Sequence, residues 1–304
     1  MPRLALRRER WELDDGDFVD LDWLADGPRE HPPDRPLLVV LHGLEGSSRS
    51  HYAVGLLDRA RAAGWSGVVL HFRSCSGEVN RLPRSYDSGF TDDLDGLVRR
   101  LAAERPARPL GLAGASLGGN VILKWLGERG EAVPDAVVGA AVISTPFDLE
   151  ACARAMDRGL NRWLYTAHFL RTMRAKLRAK AALMGAAIDV AAGLRARTFA
   201  GFDRAVTAPL GAYADEVDYW RRASSGPYLA RIRKPCLLIA AENDPFIPVS
   251  SLPRATVEAS PWLEAAFVRE GGHVGFVEGT RGRSSWAERR AMDFLCRRAA
   301  AAGA

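Results

Sequence analysis

The sequence predicts an α/β protein whose core is a doubly wound, mainly parallel β-sheet with an inserted helical cap. Three observations lead to this fold class. Short apolar runs recur along the chain, helical patterns separate several of them, and a stretch from about residue 147 to 232 has no strand-like run. Strands that alternate with helices are typical of parallel sheets. A chain of 304 residues with 47% hydrophobic content is long enough to bury such a core.

The sequence predicts a hairpin followed by six parallel strands. Residues 10–24 alternate apolar and polar side chains around Asp15-Gly16, which predicts a β-hairpin at an antiparallel edge. Six apolar runs then have the composition of parallel strands, which are buried on both faces. These runs are Pro36–Gly43, Gly67–Phe72, Pro109–Ser116, Ala136–Thr145, Pro235–Ala241 and Leu263–Glu270.

Helical patterns lie between several of those runs. The clearest are Tyr52–Ala63, Thr91–Glu104 and Leu117–Arg129. Asp92 and Asp93 fall in the first turn of the second pattern, where negative charge is favourable. Because residues 147–232 are instead rich in Ala, Leu and Arg, we expect three parts: an N-terminal part of the core (1–146), a helical cap (147–232) and a C-terminal part of the core (233–304).

Composition argues against several classes of protein. The net charge of +5 comes mostly from arginine in a chain rich in alanine and arginine, so we expect no nucleic-acid partner. No run of about 18 apolar residues occurs and the first residues lack the apolar stretch of a signal peptide, which predicts a cytoplasmic protein without a transmembrane segment. The cysteines are too far apart to suggest a disulfide framework or a zinc site. They are Cys75, Cys152, Cys236 and Cys296.

The motif Gly-Ala-Ser-Leu-Gly at residues 114–118 carries the main chemical signal. It follows an apolar run and precedes a helical pattern, and this context makes G-x-S-x-G a nucleophile elbow. Gly114 and Gly118 let neighbouring backbone pass close to the tight turn. The free N–H groups at the start of the following helix favour negative charge at the reacting centre. Ser116 is therefore the predicted nucleophile.

A serine hydroxyl needs a base that takes its proton and a carboxylate that orients the base. His273 lies in Gly-Gly-His-Val-Gly-Phe after the last predicted strand, late enough for the order serine, acid, histidine that accompanies this elbow. We therefore predict His273 as the base. The other histidines lie in a proline-rich loop, in helical patterns, or in strands that precede the serine: His31, His42, His51, His71 and His168.

The orienting acid is expected at a strand end shortly before that histidine. Asp244 comes just past the run Pro235–Ala241, and the proline after it stops further sheet or helix. Glu242 is nearby. Asp148, which follows an earlier strand, is the main alternative because some proteins with this elbow take the acid from that strand. We favour Asp244.

Negative charge on a substrate carbonyl oxygen requires N–H donors aimed at it. Leu117 supplies one backbone N–H because it follows the serine. Leu44, in the segment His-Gly-Leu-Glu-Gly-Ser after the run Pro36–Gly43, is the expected second donor. The sequence contains neither phosphate-binding glycine motifs nor metal-ligand spacings, so we predict no metal and no cofactor.

The predicted cap carries two further patterns. Its apolar content predicts that it roofs an acyl-binding groove over Ser116 and packs partly on the core. The stretch from Arg171 to Lys180 holds five cations and no acid, which we interpret as the solvated basic face of a cap helix. Contact with a membrane surface or with anionic substrate groups is the alternative. The apolar residues are Trp163, Leu164, Phe169, Leu170, Leu183 and Met184.

Five segments together form a more specific signature than the elbow alone. They are HGLEGSSRSHY (42–52), FRSCSGEVNRLPRSYDSGFTDDL (72–94), GASLGGN (114–120), YWRRASSGPYLARIRKPCLLIAAENDPFIP (219–248) and GGHVGF (271–276). From about Trp11 to Phe294 the chain resembles the YheT-like family of α/β-hydrolases, which includes the ABHD1/2/3-type lipases. One departure is Asn243, which stands where the family often has the first acid of a pair and leaves Asp244 as its remaining acid.

The resemblance implies the α/β-hydrolase fold, a triad of Ser116, Asp244 and His273, and hydrolysis of lipid-like or simple carboxylic esters through an acyl-enzyme. Two alternatives stay open. The same triad serves acyltransferases and thioesterases, and a protein of this fold need not be an enzyme at all.

Overall fold

An eight-stranded β-sheet forms the centre of the computed structural model, which describes residues 3–25, 35–186, 188–278 and 284–302. The strand order is β1-β2-β4-β3-β5-β6-β7-β8. β1 and β2 form an antiparallel hairpin, β2 pairs antiparallel with β4, and the remaining pairs of this sheet are parallel. The strands are β1 (Leu6–Glu12), β2 (Phe18–Leu24), β3 (Leu37–Leu41), β4 (Ser66–Leu70), β5 (Leu110–Ala115), β6 (Val137–Ile143), β7 (Cys236–Ala241) and β8 (Leu263–Val268), with a separate small pair β9 (Val277–Glu278) and β10 (Ser284–Ser285).

Helices connect most of the parallel strands. They are α1 (His51–Ala62), α2 (Asp92–Glu104), α3 (Leu117–Arg129), α4 (Leu149–Met156), α5 (Gly159–Asn161), α6 (Ala167–Ala179), α7 (Val190–Arg195), α8 (Phe199–Phe202), α9 (Ala208–Leu210), α10 (Glu216–Ala223), α11 (Arg254–Glu258) and α12 (Trp286–Ala302). Two π-helical turns, Arg162–Thr166 and Asp203–Thr207, lie among them. No helix among the described residues is both long and apolar enough to cross a bilayer.

Both faces of the sheet are covered, and β3 shows how. Leu37, Val39 and Leu41 pack in one core with α2 and α3, whereas Leu38 and Val40 pack in a second core with α1 and α12. All five side chains are buried. Because successive side chains of a strand point to opposite faces, an uninterrupted apolar run is what a doubly covered strand requires.

The predicted fold class is confirmed, and each of the six apolar runs matches one strand of the sheet with ends that agree within two residues. The hairpin begins earlier than predicted, because β1 starts at Leu6 and pairs it with Leu24. The described residues between 147 and 232 form helices and no strand. This helical segment builds small cores of its own, one of them around Leu170, Leu177, Phe202 and Val206.

Candidate active site

Ser116 lies in the sharp turn between β5 and α3. Its backbone has φ 53° and ψ −122°, a positive-φ conformation that residues with a side chain rarely adopt. Its N–H donates to the carbonyl oxygen of Ile143 at 2.8 Å, which ties the turn to β6. A Cβ on Gly114 would come within 2.7 Å of the Gly118 backbone, and a Cβ on Gly118 would overlap the carbonyl oxygen of Leu41. The two glycines therefore allow the turn to close against β3.

The three side chains predicted as nucleophile, base and acid lie in one hydrogen-bonded line. Ser116 Oγ is 3.0 Å from His273 Nε2, and His273 Nδ1 is 2.8 Å from Asp244 Oδ2. The Asp244 side chain is buried and also accepts from the N–H of Phe246 at 2.8 Å. When Asp244 is ionised it only accepts, so Nδ1 carries the proton and Nε2 is left to accept from the serine hydroxyl.

Asn243 holds the loop that carries His273. Its Oδ1 accepts from the N–H groups of Gly271 and Gly272, at 3.0 and 2.9 Å. From the other side, His51 Nε2 lies 2.8 Å from the carbonyl oxygen of Val274. In the sequence, Asn243 stands out only as a departure from a family pattern, whereas the structure gives it a contact that positions the histidine loop.

The competing acids have other partners. Asp148 caps the N-terminus of α4, where its Oδ1 accepts from the N–H of Ala151 at 3.0 Å. Glu242 forms an ion pair with Arg254 at 2.5 Å. Both side chains therefore act in local structure, as caps and surface pairs commonly do.

The competing histidines are also engaged elsewhere or turned to solvent. His71 Nε2 bonds Asp22 Oδ2 at 2.8 Å, and both side chains are buried. His168 is exposed on α6. His31 lies outside the described residues.

His42 is buried beneath the loop that follows β3. Its Nε2 accepts from the N–H of Phe72 at 3.1 Å, so Nδ1 carries the proton and donates to the carbonyl oxygen of Gly43 at 2.8 Å. Burial lowers the pKa of His42 to about 3 and keeps the ring neutral. Tyr52 Oη accepts from the N–H of Gly43 at 2.7 Å. In a trans peptide the N–H points opposite to the preceding C=O, so these bonds turn the N–H of Leu44 away from His42.

Glu45, the next residue of that loop, joins it to the helical segment. Its Oε1 accepts from Tyr86 Oη and from Lys176 Nζ, both at 2.7 Å. The Glu45 side chain is 8% exposed and that of Lys176 is 24% exposed. This ion pair is therefore only partly screened by water and connects α6 to the loop beside Leu44.

The solvated basic face predicted for residues 171–180 is correct for Arg171 and Arg178, which are exposed. The prediction is wrong for Lys176 and Lys180. Lys180 is 1% exposed, and its Nζ donates to Asn80 Oδ1 at 2.8 Å as well as to neighbouring acceptors. Burial lowers the pKa of Lys180 to about 8. These two lysines turn away from solvent because the loops after β3 and β4 supply acceptors, Glu45 for Lys176 and Asn80 for Lys180.

A cavity of about 710 Å³ lies over Ser116. Leu44, Leu117 and His273 line it near the serine, and side chains of the helical segment line much of the rest. Of the apolar residues singled out from the sequence, Phe169 and Met184 line the cavity and Leu170 is buried. The expectation of burial is wrong for three of them, which are exposed: Trp163, Leu164 and Leu183.

Comparison with known proteins gives the family. A model described as alpha/beta hydrolase fold matches residues 36–280. The Escherichia coli protein YheT, named an esterase, is 41% identical over 97% of this chain and 88% of its own length. The chain belongs to the YheT-like α/β-hydrolases. Phospholipase ABHD3 of Mus musculus is 29% identical to this hydrolase over 91% of the chain and 68% of that protein. The Pyrococcus furiosus esterase Pf2001 shares the fold, with a TM-score of 0.63 and 17% identity over 97% of this chain and 91% of that chain.

The four cysteines of this α/β hydrolase are free thiols. Burial raises the pKa of Cys75 to about 11 and that of Cys236 to about 12. Both thiols are therefore protonated at neutral pH and are weak nucleophiles. Among the residues that the structure describes, no group of three His, Cys, Asp or Glu side chains is placed to hold a metal ion.

Several positioning residues of the hydrolase were not predicted from the sequence. His42, Tyr52 and Tyr86 lie inside the segments that carry the family resemblance, so the resemblance was the available signal for them. For Lys176 no signal existed, because its partner Glu45 is 131 residues away.

Proposed function

We infer that the chain is a carboxylic ester hydrolase that works through an acyl-enzyme on Ser116. Relatives named as an esterase and a phospholipase support ester hydrolysis. The observation that carries the mechanism is the line from Ser116 Oγ to His273 Nε2 and from His273 Nδ1 to Asp244 Oδ2, at 3.0 and 2.8 Å. A serine hydrolase uses a nucleophile, a base and an acid that orients the base, and these three groups are recognised by this geometry.

The reaction has two halves. Ser116 Oγ attacks the ester carbonyl carbon while His273 Nε2 takes the hydroxyl proton, and Asp244 stabilises the imidazolium that forms. The N–H groups of Leu44 and Leu117 stabilise the oxyanion. The alcohol leaves with the proton from His273. Water then gives a proton to His273 and attacks the acyl-enzyme. His273 returns that proton to Ser116 Oγ as the carboxylic acid leaves, which restores the serine hydroxyl and the neutral base.

We further propose that the helical segment, residues 147–232, is a cap and that its part of the cavity receives the acyl chain. A volume of about 710 Å³ falls within the usual range for small-molecule sites. Apolar cap side chains line this space and would bury methylene groups. Among them are Met156, Phe169, Met173, Leu177, Phe202 and Val206. The substrate class is accordingly an ester with a short to medium or lipid-like acyl group.

A fluorophosphonate probe tests the nucleophile. Such a probe should label the wild-type enzyme and leave Ser116→Ala unlabelled. Ser144→Ala is the matched control, because Ser144 also follows a strand end with a positive φ of 51° but lies fully buried. Labelling that survives Ser116→Ala contradicts the assignment, and a wild type that takes no label points to a binding protein.

Hydrolysis of p-nitrophenyl esters with and without added alcohol shows whether the acyl group passes to water or to another acceptor.

A further inference from the structure

One face of the cap leaves large apolar side chains in water. Helix α5, the π-turn Arg162–Thr166 and α6 follow one another without a break. On their outer side Leu160, Trp163 and Leu164 are 77%, 73% and 61% exposed. A contiguous apolar patch of this kind marks a surface that binds something. We call these three residues the apolar patch.

The apolar patch adjoins the opening of the cavity. Tyr165, which follows the patch in sequence, and Pro245 line the cavity and are themselves exposed, so the cavity meets solvent there. Asn161 Nδ2 donates to the carbonyl oxygen of Pro245 at 2.7 Å, which joins the patch helix to this rim. The Tyr165 ring lies 4.6 Å from that of Phe246, and the Phe246 ring lies 4.3 Å from that of His273. Two aromatic contacts therefore connect the rim beside the patch to the base.

Arginines flank the apolar patch in sequence. Residues 158–180 contain seven arginines and lysines and no aspartate or glutamate. Arg158 immediately before α5 and Arg171 on α6 are exposed. The Arg162 guanidinium lies 5.8 Å from the centre of the Trp163 ring. Lys176 and Lys180 are bound to the core, so the outer arginines supply the charge of this surface.

We propose that the apolar patch and its arginines dock the enzyme on an anionic lipid surface, with the cavity opening toward the lipid. Leucine and tryptophan side chains enter the boundary between headgroups and acyl chains, while arginines pair with the lipid phosphates. A second copy of the chain is a poorer occupant. A two-fold dimer through this face would bring two acid-free cationic segments together. Delivery of esters from that surface rests on the proposed hydrolase function, whereas the docking does not.

Co-sedimentation of the full chain with vesicles tests the docking. The wild type should bind phosphatidylcholine vesicles that contain phosphatidylglycerol at least tenfold better than pure phosphatidylcholine vesicles, and salt should weaken this binding. Replacing the patch by Leu160→Ser, Trp163→Ser and Leu164→Ser should reduce binding at least tenfold. The double variant Arg158→Gln, Arg171→Gln should reduce it in anionic vesicles only.

Matched controls separate docking from folding and from catalysis. Val79→Ser with Val217→Ser removes exposed apolar side chains from two other segments, the loop after β4 and helix α10, and should bind as the wild type does. Ser116→Ala should also bind normally, so a failure of the proposed function is distinguishable from a failure of docking. The proposal is overturned if the wild type does not bind anionic vesicles, or if the triple serine variant binds as well as the wild type. A dimer in sedimentation analysis that the triple variant abolishes would also overturn it, by assigning the patch to self-association.

Discussion

His42 Nδ1 donates to the carbonyl oxygen of Gly43 at 2.8 Å, and this bond fixes the peptide that ends in the N–H of Leu44. The ring has no freedom to change partners. Its Nε2 is occupied by the N–H of Phe72, and burial keeps it neutral with a pKa of about 3. The N–H of Gly46 is a second donor to the same carbonyl, at 3.0 Å. His42 is therefore a positioning residue for the loop that we propose as half of the oxyanion hole.

His42→Ala should lower kcat for a p-nitrophenyl ester with little change in KM. We expect a loss of about tenfold, smaller than the ~10²- to 10³-fold cost of a missing oxyanion donor, because Gly46 still holds the carbonyl. His71→Ala is the matched control, since it removes a nearby buried histidine whose partner is Asp22. That control should lower the melting temperature and keep kcat. A His42→Ala enzyme that is folded and has wild-type kcat contradicts the positioning role.

Asn243 gives a second positioning test. Asn243→Ala removes the acceptor for the N–H groups of Gly271 and Gly272 and should loosen the His273 loop. Two lost bonds of about 1 kcal/mol each correspond to a loss of up to about thirtyfold in kcat. Asn243→Asp keeps an acceptor oxygen at the same place and should retain most of the activity. Equal activity losses in both variants would argue that the amide does more than accept these bonds.

The acid assignment separates Asp244 from Asp148. Asp244→Asn should lower kcat by about 10⁴-fold, the loss seen when the triad aspartate of a serine protease becomes its amide. Asp148→Asn should keep activity because its observed partner is the α4 backbone, and a changed cap costs at most ~1 kcal/mol of stability. Rate measurements below the melting temperature decide between them. The opposite pattern, activity lost in Asp148→Asn and kept in Asp244→Asn, would assign the acid to Asp148.

Lys176 and Arg178 are two residues apart and should respond differently to neutralisation. Lys176→Met leaves the Glu45 carboxylate without its cation, and we expect a loss of about 1–3 kcal/mol in the free energy of unfolding with reduced kcat. Arg178→Met changes an exposed side chain and should stay within about 0.5 kcal/mol. Denaturant titrations measure the free energy of unfolding of both variants, and ester hydrolysis measures their kcat.

Glu45→Gln in the Lys176→Met background should recover part of the lost stability, because the buried charge is then removed. If Lys176→Met behaves like Arg178→Met, the ion pair does not tie the cap to the loop beside Leu44.

The sequence predicted the sheet well because parallel strands are nearly continuous apolar runs. Leu37–Leu41 is one such strand, and its ends differ from the predicted run by one or two residues. The proximity of Ser116, Asp244 and His273 was predictable for a related reason: each follows a strand at the same edge of the sheet, where parallel strands end together. The local sequence pattern was therefore sufficient to predict the strands and the residues that follow their ends.

Long-range partners were not predictable in that way. Lys180 looked like one more cation on a solvated helix, yet it is bonded to Asn80, a residue 100 positions earlier. Trp163 was expected to line the acyl groove or to pack on the core, yet it is 73% exposed. Periodicity indicates which side of a helix is apolar, but whether a neighbouring element covers that side depends on contacts that no local pattern encodes.

The acyl-binding proposal predicts a chain-length profile. Each methylene that enters the apolar cavity should raise kcat/KM by up to about fourfold, the equivalent of ~0.8 kcal/mol, until the space is full. Activity on p-nitrophenyl esters should therefore rise from acetyl to a medium-chain optimum and then fall.

Val206→Phe, which fills part of the cavity inside the cap, should move this optimum to shorter chains and leave acetyl hydrolysis nearly unchanged. Val190→Phe is the matched control, because Val190 packs in the same cluster without lining the cavity. A profile that falls steadily from acetyl in the wild type, or an optimum that Val206→Phe does not move, would mean that the acyl chain lies elsewhere.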